Sequence, residues 1–106
     1  MKSKLNQGAK KVYVYDGSYQ GLLTALYWSF KLKEIPIKII PESKFKDDLF
    51  YQKRKIKTDN EKAEFLSEQI KKYISKKALH NVFRAYLSET KKIELTFRTF
   101  VRSYSS

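Results

Sequence analysis

Four successive apolar positions, Val12, Tyr13, Val14 and Tyr15, are all β-branched or aromatic and predict a short buried strand. Asp16, Gly17 and Ser18 then turn the chain, and the apolar spacing changes from a short run to a helical period. Over residues 18–33, Tyr19, Leu22, Leu23, Leu26, Tyr27 and Phe30 share one side of a helix, while Ala25, Trp28 and Leu32 take up much of the rest. A surface helix carries one apolar stripe, whereas one apolar nearly all round must be covered on two sides. This helix is therefore expected to be central, spanning roughly 24 Å at 1.5 Å per residue. Pro36 stops it, and residues 37–40 predict a second strand that Pro41 ends. One helix between two strands suits a parallel βαβ-like crossover. Residues 42–48 read as a polar loop or short helical turn, and residues 50–57 as a third strand or an extended connector.

The second half follows helical spacing throughout. Thr58, Asp59, Asn60 and Glu61 mark a helix start, with Asp59 able to cap and Thr58 and Glu61 at capping-box spacing. Phe65, Leu66, Ile70, Tyr73 and Ile74 give that helix its apolar face, and acids lead while Lys71 and Lys72 trail, as the macrodipole prefers. A second helix, residues 75–87, turns Ala78, Leu79, Val82, Phe83 and Tyr86 inward. A third carries Ile93, Phe97, Phe100, Val101 and Tyr104. The expected fold class is α+β with an α/β-like start: a two- to three-stranded sheet with a central helix, then a three-helix C-terminal half. Residues 12–106 form a single domain, divided into a strand-helix-strand part (12–58) and a helical part (59–106), with a basic flexible arm at 1–11.

At 106 residues and 42% apolar the chain has enough to bury one core. It contains no cysteine, which excludes disulfides, thiolate zinc sites and cysteine nucleophiles. No stretch resembles a secretion signal or membrane span, so cytoplasmic residence without membrane contact is expected. The formal charge of +12 changes the picture most, because such a field draws in polyanions, nucleic acid above all. Nearly all of it is lysine, which favours a diffuse field over a shaped, bidentate site.

Lys53, Arg54, Lys55 and Lys57 make the densest basic run. Extended, it places Lys53, Lys55 and Lys57 on one face and Arg54 and Ile56 on the other. Such a row suits a phosphate backbone, with Phe50 and Tyr51 available for stacking, and equally suits an edge strand guarded by lysine. Lys77, His80, Asn81 and Arg84 share one stripe of a helix, either a contact face or simply its wet side. Arg98 and Arg102 form a similar pair on the last helix, where Glu94 can brace Arg98. The Asp16-Gly17-Ser18 turn invites a phosphate at the helix start, but with one glycine and no Lys-Ser/Thr pair it reads as a cap. One histidine and no cysteine leave no nucleophilic triad and no two-histidine metal site, and no cofactor motif occurs. The enzyme alternative is a carboxylate nuclease site assembled from separate elements, with Asp47 and Asp48 adjacent in the chain.

Three fragments carry a resemblance: Tyr13 to Ser18 followed by Gly21 to Ala25, Lys57-Thr58-Asp59 leading into Glu61-Lys62-Ala63, and Ala85 to Glu89. In that order and spacing the chain resembles the N-terminal portion of the bacterial "probable DNA metabolism protein" family. That family is linked by gene neighbourhood to a putative DNA-repair radical-SAM protein and in some proteins is fused to a uracil-DNA glycosylase-like domain. Family members continue into a second region, whereas this sequence ends at Ser106. The resemblance supplies no catalytic residues. The resemblance and the positive charge together lead to the expectation of a non-enzymatic accessory domain that contacts DNA, or RNA, or docks on a DNA-repair enzyme. The basic segments, not the resemblance, single out Lys53, Arg54, Lys55, Lys57, Lys77, Arg84, Arg98 and Arg102 as the contact residues. The alternative is a protein-interaction module, phage-encoded or truncated, that competes for a repair or defence partner.

Overall fold

The computed structural model describes residues 11–46 and 52–88. Strand β1 (Lys11–Tyr15) lies in the middle of a parallel sheet, flanked by β2 (Lys38–Pro41) and β3 (Gln52–Lys55). Tyr13 stands opposite Ile39 on one neighbour and Arg54 on the other. The unbroken Val-Tyr-Val-Tyr run suits this position, because a central parallel strand is covered on both faces. All four of these residues are buried. Tyr13 and Tyr15 join Ile39 and Ile56 in the core under the helices, and Val12 and Val14 alternate to the other face. With three helices among the described residues, the chain is an α+β fold.

Helix α1 (Tyr19–Leu32) packs between the sheet and α2 (Asn60–Tyr73), and its start also meets α3 (Lys76–Ser88). Every residue from Gly21 to Leu26 is buried, which accounts for the apolar character found nearly all round. Cover ends at the last turn, where Leu32 is exposed. There Lys33 takes the left-handed conformation at φ 53°, its N–H donating to the Phe30 carbonyl at 3.2 Å. The Glu34 N–H donates to Ser29 O at 3.0 Å, completing a Schellman ending. The buried Ser29 hydroxyl donates in turn to the Glu34 carbonyl. From this ending the chain reaches β2, where the Ile37 N–H donates to Lys11 O at 3.0 Å.

The two turns that lead into α1 and α2 are tied together at the carboxyl ends of β1 and β3. Asp16 Oδ1 accepts from the Ser18 N–H at 2.8 Å and its hydroxyl at 2.6 Å, while Oδ2 accepts from the Thr58 hydroxyl at 2.7 Å. Ser18 caps α1 by accepting from the Gly21 N–H at 2.9 Å. Buried Thr24 donates to Gln20 O at 2.7 Å and accepts from the Asp59 N–H at 3.1 Å. Asp59 caps α2, accepting from the Glu61 and Lys62 N–H groups at 3.0 and 3.2 Å. Thr58 serves no capping box, because the helix is capped one residue later by Asp59, whose carboxylate takes the Glu61 N–H. From the far side Tyr86 donates to Gly17 O at 3.0 Å, and Tyr19 packs against Phe83 and Tyr86 with ring centroids 5.0 and 5.4 Å away.

Sequence and structure differ in detail at the ends of elements. Lys11, assigned to the arm, begins β1, and among the described residues of the 50–57 stretch the third strand covers Gln52–Lys55. The described part of the polar segment after β2 holds a 3₁₀ turn, Glu42–Lys44. Residues 1–10 and the expected last helix lie outside the described residues. No helix among the described residues is long and apolar enough to cross a membrane.

Two substitutions test this packing. Leu26 is fully buried, so Leu26→Ala is expected to cost about 2–5 kcal/mol in chemical denaturation, and a near-neutral change would contradict its burial. A β-carbon at Gly21 would collide with Asp16 Oδ1 and lie 3.0 Å from Thr58 Oγ1. Gly21→Ala is therefore expected to destabilise by about 1–3 kcal/mol, although alanine in a helix ordinarily gains about 1 kcal/mol over glycine.

Candidate nucleic-acid interface

Strand β3 forms one edge of the sheet among the described residues, and its alternation sorts its side chains. Arg54 and Ile56 turn to the helix-covered face, where Ile56 is buried in the core. Lys53, Lys55 and Lys57 are exposed. Lys53 Nζ sits 5.2 Å from the centre of the Phe45 ring, a cation–π contact on the sheet's other face. Among the described residues neither Lys55 nor Lys57 has an ion-pair partner.

Alongside β3 runs an open groove of about 470 Å³. Trp28 and Leu32 of α1 give it an apolar wall, the strand from Arg54 to Lys57 forms its side, and Lys62 of α2 stands at its end. The Lys62 ammonium lies 5.7 Å from the ring centre of Tyr27 and 5.8 Å from that of Trp28, rings that meet edge to face. Asp59 Oδ2 holds the same ammonium at 3.1 Å. This ion pair draws the Asp59 carboxyl below its ordinary value and raises Lys62 above its own. Lys62 is thus a fixed positive charge beside an aromatic wall.

Arg54 is differently employed. Its Nε donates to Glu34 Oε1 at 3.1 Å, and the same carboxylate accepts from the Tyr13 hydroxyl at 2.6 Å and from Lys11 Nζ at 3.1 Å. Burial alone pushes the Glu34 carboxyl up, but the hydrogen bonds from Tyr13, Arg54 and Lys11 outweigh it and hold the carboxyl below its ordinary 4.5. Burial, then the bond to Glu34 and its negative charge, push the Tyr13 phenol far above the usual range. Arg54 thereby braces the sheet across its strands.

The remaining expected contact residues are dispersed. Lys77, His80, Asn81 and Arg84 are exposed on α3, which packs on α2 and α1 rather than along β3. Arg98 and Arg102, with Phe50 and Tyr51, lie outside the described residues. The turn at Asp16 does not open toward a phosphate: its Ser18 and Gly21 donors are taken internally. The Asp16 carboxyl occupies the place an anion would need. The Ser18 hydroxyl foremost, against some burial and with help from Thr58, holds that carboxyl ionised below its ordinary value. Among the described residues, no three His, Cys, Asp or Glu side chains gather where a metal ion would be held. Asp47 and Asp48 fall outside them.

Comparison of the chain with protein-family models, curated proteins and solved structures finds no match.

Sequence reasoning named the lysines of β3 but not Trp28 or Lys62. A signal existed for each. Trp28 was the bulkiest residue on the less crowded side of α1, and Lys62 is a cation in a helix's first turn, where the macrodipole disfavours it unless an acid such as Asp59 compensates.

Glu34→Ala tests the brace. At neutral pH it leaves the buried Tyr13 hydroxyl without its acceptor and is expected to cost about 2–3 kcal/mol. A carboxyl depressed on folding stabilises above its ordinary value, and that contribution is lost as pH falls through the lower folded value. The gap between the protein and its variant should therefore narrow in unfolding measured at about pH 3. A gap unchanged by acid would contradict an ionised Glu34.

Proposed function

We propose that this protein is a non-enzymatic accessory domain in DNA metabolism or repair that binds nucleic acid along β3. The observation that carries this reading is the pair of exposed lysines, Lys55 and Lys57, which have no ion-pair partner among the described residues and line a groove walled by Trp28 with the Lys62 ammonium at its end. Positive charge supplies sequence-independent affinity, and an adjacent aromatic wall gives bases something to rest on. The +12 formal charge supports the same partner at long range. The resemblance of the Tyr13–Ser18, Gly21–Ala25 and Lys57–Asp59 fragments to the DNA metabolism family supports the setting. Lys53 extends the basic edge, and Lys77 and Arg84 add to the general field from α3. Arg54 shapes the edge through Glu34.

A second reading rests on a different surface. Phe65 is 54% exposed and packs edge to face on Tyr27, beside a smaller groove of about 360 Å³ that Phe30 and Leu66 also line. Exposed aromatic area of this kind suits a protein partner. A complex that survives nuclease treatment and is lost in Phe65→Ser would favour that reading.

The primary test is a salt titration of binding to labelled DNA. Affinity is expected to fall steeply with salt, and the double variant Lys55→Gln/Lys57→Gln should lower the slope of log K against log salt by about 1–2. Lys77→Gln/Arg84→Gln should change the slope less. Negligible binding at both low and physiological salt would refute the proposal.

A further inference from the structure

We infer that the groove between α1 and β3 takes a single nucleotide strand, one base packed against Trp28 on the helix-covered side and the adjoining phosphates passing over the open edge of β3 to Lys55 and Lys57, whose side chains alternate to the sheet's other face. This inference rests on the nucleic-acid reading above and narrows it to one form of the ligand.

Two features of the groove separate a single strand from a duplex. Its volume of about 470 Å³ falls within the small-molecule range, a space for a base rather than for paired strands. Its wall is apolar and concave, formed by Trp28 and Leu32, and rewards only a flat group that can leave solvent. A duplex keeps its base faces inside the stack and would offer this wall nothing but phosphate and sugar. An unstacked strand offers a π-face at every residue, which is why aromatic platforms with a cationic rim tolerate any sequence.

The strand side of the groove supplies the polar half of the contact. The Ile56 N–H turns inward, donating to Val14 O at 2.7 Å, so the backbone groups of Lys55, the residue before it, face outward from the sheet. They border the same groove as the apolar wall and are assigned to the hydrogen-bonding edge of a base resting there. Lys62, held at its ring-facing position by Asp59, closes the end of the groove with a positive charge. A strand running along β3 meets, in turn, a base platform, outward backbone donors and acceptors, and a lysine rim. Charge complementarity thus names the occupant: a polyanion with separable, flat apolar groups.

The chain contains a single tryptophan, so its fluorescence reports on Trp28 alone. The protein is titrated with a thymidine oligomer of about 12 nucleotides, with a duplex of the same length, and with polyglutamate, following tryptophan emission and the anisotropy of labelled ligand. The single strand should quench Trp28 saturably, at the concentration where anisotropy rises, and bind at least about tenfold more tightly than the duplex. Trp28→Leu should weaken single-strand binding by about 5- to 150-fold, the size of one base–aromatic contact, and Trp28→Phe should largely restore it. The titration of the unaltered protein decides the matter even where Trp28→Leu fails to fold. Duplex binding as tight as single-strand binding, with Trp28 emission unchanged, would overturn this inference and leave the electrostatic reading standing. Binding of neither nucleic acid would overturn both. Quenching by polyglutamate equal to that by the oligomer would also overturn it, since a polyanion without bases would then suffice.

Discussion

One carboxylate holds the described part of this fold together. Asp16 leaves the end of β1 and accepts from Ser18 at the start of α1 and from Thr58 at the end of β3. Two connections far apart in sequence are thereby fixed against each other at one edge of the sheet. Thr24 adds a parallel link to Asp59, so the caps of α1 and α2 belong to a single hydrogen-bonded unit. Gly21 is part of the same device, because the unit leaves no space for a side chain there. Once both helix starts are tied, α1 and α2 have a set distance and the apolar surface between them closes. A network of this sort is worth most when every member is satisfied, and no buried side-chain nitrogen or oxygen among the described residues lacks a partner.

That constraint also occupies the carboxyl end of the sheet. The carboxyl end of a parallel sheet is the usual place for a ligand, yet here its donors are spent on Asp16 and Ser18. At another point on the sheet Glu34 gathers Lys11, Tyr13 and Arg54, and so removes the chain's one described sheet arginine from the pool of open contacts. What remains open is the flank of β3. Lysine there guards an edge strand against pairing with other chains and at the same time presents a row of cations. The two readings of this run are compatible: a protected edge and a polyanion surface ask for the same residues.

Much of this was legible in the chain because local pattern and tertiary role agree. The continuous Val12–Tyr15 run marked a covered strand, the all-round apolar helix marked the centre, and Asp59 marked a helix start, each by a rule that acts over a few residues. Thr58 and Glu61 have capping-box spacing, but Asp59 takes the Glu61 N–H, and the Thr58 hydroxyl meets Asp16, 42 residues away, a partner that no local spacing can reveal. Arg54 was grouped with its lysine neighbours for the same reason; alternation put it on the inner face, but only the fold brings Glu34 to meet it. Trp28 and Lys62 share the groove through the packing of α1 on α2, so their pairing belongs to tertiary structure alone. The three fragments that carried the family resemblance converge in space, Asp16 and Ser18 with Gly21, Thr58 with Asp59, and Tyr86 with Gly17.

The claim that these turns act as one unit is tested most directly by a double-mutant cycle on Asp16 and Thr58. Unfolding free energies are measured for the protein, Asp16→Asn, Thr58→Val and the pair together. Coupling of about 1–3 kcal/mol is expected, the double variant losing clearly less than the two single losses combined. Strictly additive losses would show that the two turns are held independently, and would contradict the account.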